Sequence, residues 1–147
     1  LGAQSARLMH GLAVAANGFP TALGPFGRLP RAKLDLKKSG LAPIVLLARL
    51  YGLRAGSPAV STGDRLVAAG EANVLSAELT TRLREGYDLL SRLRLTNQLN
   101  QMVAREYITD TIDPHELTGD QHDAVREALR AIKSAQSVTS VAFRTDL

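Results

Sequence analysis

The sequence predicts an all-α fold, an up-and-down bundle of four main helices plus one short helix. Three observations carry this. Apolar residues recur every three or four positions in separate segments. Helix-start signals stand at Ser61, Ser76, Asp113 and Thr118. No alternating pattern is long enough for a useful strand, and there is no internal repeat.

The first helix is expected over Gln4 to Ala16, with Leu8, Leu12, Ala15 and Ala16 at helical spacing and Gly18 and Pro20 stopping it. From Phe19 to Lys33, Pro20, Gly24, Pro25, Gly27 and Pro30 forbid a long regular element. A loop of that length is unusual in a small bundle, and long ordered loops tend to carry function. Leu34-Asp35-Leu36-Lys37 alternates apolar and charged residues, a short extended piece at the end of the loop.

Helix two is expected from Leu41 to Arg54, with Pro43 tolerated in its first turn. Ile44, Leu47, Ala48 and Tyr51 fall on one face and Leu46, Leu50 and Leu53 on another, the pattern of a central helix. Ser61, with Asp64 three residues on, starts a short helix carrying Leu66, Val67 and Ala69. Ser76 opens the longest helix, Ala77 to Arg105, along a seam of Leu79, Leu83, Gly86, Leu90, Leu93 and Asn97. Asp113-Pro114-His115-Glu116 is a helix-start signal, and Thr118-Gly119-Asp120-Gln121 repeats the capping logic. The last helix carries Val125, Leu129, Ile132, Gln136, Thr139 and Phe143 along one stripe.

Composition bounds the function. With 147 residues, 45% apolar and 22% charged, the chain reads as one globular domain spanning 1–147. It begins with Leu1 rather than Met, as a C-terminal piece of a longer multidomain protein would. The absence of cysteine excludes disulfides, thiolate zinc sites and a cysteine nucleophile. The apolar run Leu41–Leu53 is broken by Arg49 and is too short to span a bilayer, so no membrane role and a cytoplasmic location are expected. A net charge of +4 is compatible with phosphate-bearing ligands. With 4% aromatics and no basic recognition helix, DNA is not an expected partner.

Much catalytic chemistry is missing. There is no Walker sequence, no dinucleotide fingerprint and no H-E-x-x-H, and no serine has a histidine placed beside it. The Gly-Ser motif with paired aspartates that holds metal in nucleotidyltransferases is also absent. No catalytic residue and no metal ligand is assigned.

Three features stand out. Arg49 is the only charge between Leu41 and Leu53, and a buried arginine needs a carboxylate, carbonyls or an anionic ligand; Asp35 is the nearest acid able to fold back. The face Tyr87, Leu90, Arg94, Asn97, Gln98, Gln101 turns from apolar to polar, which suits either a groove wall or a solvated surface. The segment from Leu34 to Gly40 brings Lys37 to a helix N-terminus, where anions are favoured, although a plain solvated loop reads the same way.

These stretches resemble one family. Gly18-Phe19-Pro20-Thr21-Ala22-Leu23-Gly24-Pro25-Phe26-Gly27 is similar to the Leu-Gly-Phe-Phe-Gly-like segment of the nucleotidyltransferase substrate-binding domain. Leu34-Asp35-Leu36-Lys37, Gly40-Leu41-Ala42-Pro43-Ile44-Val45 and Ala48-Arg49-Leu50-Tyr51 resemble its most distinctive stretch. Leu93-Arg94-Leu95 with Gln98 resembles its Arg-Leu-x-x-Gln element, and Ile112-Asp113-Pro114 with Leu117 its approach to the last helix. The likeness runs from about Leu8 to Phe143.

The resemblance implies a helical bundle C-terminal to a nucleotidyltransferase domain like that of PII-protein uridylyltransferase, in proteins that also carry cyclic-nucleotide-binding and CBS domains. It implies no catalysis by this chain alone and no cofactor within it, with Mg and a nucleoside triphosphate held upstream. Asp35, Lys37, Arg49, Arg94 and Gln98 would orient nucleotide or acceptor, the acceptor being a protein or a small molecule. The upstream domain is the implied partner, and a homodimer is compatible. Two departures bear on acceptor choice: Thr96-Asn97 stands where the family often has Arg-His, and Gln121-His122 where it commonly has Glu-Arg. The alternative reading is a regulatory or protein-interaction bundle without a ligand of its own.

Overall fold

The computed structural model describes residues 2–144. It is an all-α bundle of α1 (Ala3–Asn17), α2 (Ala42–Arg54), the short α3 (Thr62–Glu71), α4 (Ala77–Val103) and α5 (Gly119–Phe143). Consecutive helices pack on one another, and α5 returns to α1, closing the bundle. Ser61, Ser76 and Thr118 cap α3, α4 and α5 as expected, and Gln121 completes a reciprocal capping box with Thr118.

Helix α2 is the central element. Ile44, Leu47, Ala48, Leu50 and Tyr51 are fully buried, against Leu66 of α3, Leu83 and Leu90 of α4, and Val125 of α5 in one core. The Tyr51 hydroxyl lies 2.9 Å from Thr139 Oγ1, whose own hydroxyl donates to Ala135 O, so the tyrosine is the donor of this buried bond. Gln136 of α5 donates to Ala16 O and Phe19 O and thereby ties the end of α1 and the start of the long loop to the last helix.

The helical run begins earlier than the sequence pattern indicates. A wide turn, Lys37–Leu41, precedes α2, and Ala42 N–H donates to Lys37 O, five residues back. Pro43 has no N–H to give the carbonyl four residues behind it, so the turn just ahead of it loosens. Gly40 lies in this turn against the fully buried Leu90, whose side chain occupies the space a Cβ would need.

A strap of extended chain crosses the end of the bundle. Strand β1 (Leu34–Asp35) pairs antiparallel with β2 (Thr111–Ile112), Leu34 opposite Ile112 and Asp35 opposite Thr111. Leu36 N–H adds a bond to Asp110 O at 2.9 Å. The extended piece at Leu34 was expected from its alternation; its partner at residues 111–112 was not.

Three expectations are corrected. Helix α4 ends at Val103, where Ala104 and a left-handed Arg105 (φ 56°) turn the chain. The signal at Asp113 makes a single 3-10 turn, Pro114–Glu116, because Leu117 is extended and Thr118 supplies the cap that starts α5. Arg49 is exposed, not buried. Apolarity around α2 overstated its enclosure: the strip of Ala42, Val45 and Leu46 is only half-buried, and Arg49 continues that strip into solvent. Among the described residues, no helix is long and apolar enough to cross a membrane.

Candidate functional site

The open strip of α2 faces α4 across a groove of about 480 Å³. Leu41, Val45 and Leu46 form one wall, Tyr87 and Leu95 the other. Lys37 stands at its edge on the wide turn, while Ser91, Arg94 and Gln98 reach it from α4. An apolar trough with a few convergent polar groups is the usual form of a small-molecule or peptide site.

The geometry of α4 explains why Arg94 and Gln98 meet there. They are four residues apart, so their side chains stack on one helical face. Both converge on Asp110: Arg94 Nε lies 2.5 Å from its Oδ1, and Gln98 Nε2 lies 3.1 Å from the same oxygen. Along the same side, Asn97 donates to Thr111 O. Gln101 exchanges two bonds with Thr109, one through its backbone N–H and one through its hydroxyl. The polar half of α4 is therefore neither bare nor merely solvated. It holds the 109–112 strap, and with it β1 and the turn that presents Lys37.

Asp35 serves the same construction. Its carboxylate accepts from Lys38 N–H at 2.8 Å, which caps the start of the helical run that carries Lys37. It does not pair with Arg49. That residue lies about 18 Å further along the helical axis, and no described residue bonds to it. Of the five sequence-derived candidates, the structure brings Lys37, Arg94 and Gln98 to the groove. Asp35 lies beneath the groove's edge, and Arg49 lies one turn past Val45 on the groove-facing strip.

Sequence reasoning missed Asp110. The signal was present in Thr109-Asp110-Thr111-Ile112, a β-branched stretch between helices that suits a strand and carries one acid. It also missed a polar cavity of about 590 Å³ on the other side of the strap, bounded by Lys33, Asn97, Gln101, Tyr107, Thr109 and Asp113. There the backbone N–H and ring of His115 hold the exposed Asp113 carboxyl below the usual carboxylate range. No cluster of His, Asp and Glu among the described residues is arranged to hold a metal ion.

A family model described as the putative nucleotidyltransferase substrate binding domain matches residues 6–143. The chain belongs to this family. No curated protein and no solved structure matches it. Within this substrate-binding domain, the two departures from the family pattern now have local explanations. Asn97 fixes the strap through Thr111 O, and Gln121 closes the α5 capping box. Both side chains are engaged in holding the fold.

Proposed function

We propose that this chain is the accessory substrate-binding domain of a signal-transduction nucleotidyltransferase of the uridylyltransferase kind, and that its α2–α4 groove orients nucleotide or acceptor for a catalytic domain carried elsewhere in the protein. The observation that carries this reading is the groove itself, with Lys37 and Arg94 at its edges and apolar walls between them. Arg94 spends its Nε on Asp110. Its terminal nitrogens can then offer a fixed, planar fork to a phosphate or carboxylate. Leu41, Val45, Leu46 and Tyr87 would contact the less polar part of the same ligand. Mg and the triphosphate-activating carboxylates belong to the catalytic domain, with which the family name associates this one. Cyclic-nucleotide-binding or CBS domains in the same protein would supply its signal.

Titration of the chain with nucleoside triphosphates, followed by amide chemical shifts, tests the reading. Shifts should cluster on residues 37–46 and 87–98, and Lys37→Ala or Arg94→Ala should weaken binding at least tenfold. Arg49→Ala should weaken it only if the ligand extends along α2 past Val45. The alternative, a regulatory bundle with no ligand, draws on the commitment of Arg94 and Gln98 to Asp110. It predicts no shifts in the groove with any triphosphate or acceptor peptide, while Lys37→Ala still disturbs activity of the full-length protein.

A further inference from the structure

On the far side of the 109–112 strap from the α2–α4 groove lies the polar cavity of about 590 Å³, and the two share no lining residue. Its walls come from the last two turns of α4, the turn after that helix, the strap, the start of the 3-10 turn and the residue before β1. The lining is made of amides, hydroxyls, carboxylates, one ammonium and one phenol, with Ala104 and Ile112 as its aliphatic members. The volume falls within the range of small-molecule sites, about 300–1,000 Å³.

The fold spends some of these groups and leaves others. Asn97 gives its Nδ2 to Thr111 O and keeps its carbonyl oxygen. Gln101 is used at both ends by Thr109, and the hydroxyls of Thr109 and Thr111 meet at 3.1 Å. Asp113 spends one oxygen, Oδ1, on the backbone N–H and ring of His115. The side chains of Asn100, Glu106 and Glu116 are exposed and have no bonding partner among the described residues. Neither has the hydroxyl of Tyr107, a residue 94% exposed. Unspent acceptors in the cavity therefore outnumber unspent donors.

That surplus selects the ligand. Glu106, Asp113 and Glu116 face a single lining cation, Lys33, whose charge already helps to hold the Asp113 carboxyl low. Arg105 stands in the adjoining turn and does not line the cavity. A phosphate would be repelled, and an apolar molecule would find little to bury against. An organic cation would meet open, hydrated carboxylates, where an ion pair is worth little. A neutral ring bearing several hydroxyls suits the whole set. Carboxylate and amide oxygens accept from hydroxyls, as an acidic side chain accepts from ribose in dinucleotide sites. Asn100 and Lys33 can donate to the ring's own oxygens, and the Tyr107 ring offers an apolar face to its carbons.

We propose that the cavity behind the strap is a second ligand site, and that it takes a neutral, hydroxyl-rich ring, either a free sugar or the ribose of a nucleoside. Asn100, Glu106 and Glu116 read the hydroxyls, and Tyr107 covers the carbon face. The site is separate from the α2–α4 groove, whatever the groove binds.

Amide chemical shifts of the chain titrated with uridine, D-ribose and D-glucose, each to tens of millimolar, are the test. Shifts should cluster on residues 97–113 and leave 41–46 and 87–91 in place. Saturation by uridine alone assigns the ribose of a nucleoside, and saturation by ribose or glucose assigns a free sugar; either result upholds the site. A cavity that takes uridine should take 2′,3′-dideoxyuridine about tenfold more weakly, since the bonds to both ribose hydroxyls are lost. Asn100→Ala and Glu106→Ala should each weaken the ligand that binds by roughly five- to tenfold. Both side chains are exposed and unpartnered, so the variants should melt with the parent. No shifts at 97–113 with any of the three compounds, dideoxyuridine bound as well as uridine, or variants that bind like the parent would overturn the proposal. So would spermidine moving the same amides at lower concentration than any of the three, which would assign the cavity to an organic cation.

Discussion

Replacing Asp110 with alanine removes the acceptor on which Arg94 and Gln98 converge, and its cost can be worked from the geometry. The Arg94–Asp110 side chains are 37% and 26% exposed. Solvent screening therefore limits their ion pair to about 0.5–1 kcal/mol. The bond from Gln98 adds about 1 kcal/mol at most, since the freed amide can find water in the open groove. Leu36 N–H···O=C Asp110 is a backbone bond and survives the change. Asp110→Ala should thus lose about 1–2 kcal/mol, which for a chain of this size lowers Tm by roughly 3–6 °C. Asp110→Asn keeps an oxygen for Gln98 and should lose about half as much. Thermal unfolding followed by circular dichroism at low and high salt is the assay; the gap between the parent and either variant should narrow as salt screens the ion pair, while the gap between the Ala and Asn variants should not. The same substitution releases the Arg94 fork and loosens the strap behind Lys37, so binding of a triphosphate in the groove should weaken as stability falls. An Asp110→Ala protein that melts with the parent would refute the role of this carboxylate in holding the strap.

Other outcomes follow from the core. Burial raises the Tyr51 phenol above its ordinary value near 10, against smaller lowering effects of the Thr139 bond and of Arg54. The folded state therefore keeps this proton while the unfolded state begins to lose it, so the contribution is complete below pH 10 and declines as pH rises past it. Tyr51→Phe should cost about 1 kcal/mol at neutral pH and should abolish that alkaline decline, as read by melting across the range. Gly40→Ala gains helix propensity of about 1 kcal/mol. It also forces the buried Leu90 aside, an overpacking cost of about 1–3 kcal/mol. Net destabilisation is expected, partly relieved by Leu90→Val. Arg49→Ala, at an exposed and unpartnered position, should stay within about 0.5 kcal/mol of the parent in melting.

What could be read from the sequence follows from how local each signal is. Caps at Ser61, Ser76 and Thr118, the α4 seam through Leu90 and the α5 stripe through Thr139 rest on contacts within a helix or on one periodic face, and they hold. Arg49 was misplaced because apolarity around α2 reports average burial, not which strip a neighbouring helix leaves open. Arg94 and Gln98 were correctly picked as a polar face, yet their partner was invisible to periodicity. Asp110 immediately precedes a two-residue strand whose pairing partner is far away in sequence, and no local pattern encodes that distance. Lys37 was placed at a helix start for the right reason, but the wide turn that positions it depends on what Pro43 cannot donate.

The strap makes the groove a product of long-range pairing as well as of composition. Lys37 belongs to a turn anchored by β1, and β1 is anchored by β2, which in turn hangs on Asn97, Gln101 and the pair at Asp110. Each wall of the groove is thus fixed by residues of the other. Asp35 and Leu36 rest on the strap that α4 holds, and α4 is held against the turn through Leu90 and Gly40. Such mutual support removes much of the side-chain freedom that a ligand would otherwise have to freeze, and preorganisation of that kind favours affinity without adding contacts. It also means that disturbing the strap should reach Lys37 through the backbone, a longer path than any salt bridge in the site. Asp35→Ala, which leaves Lys38 N–H uncapped, would act by the same route from the opposite wall.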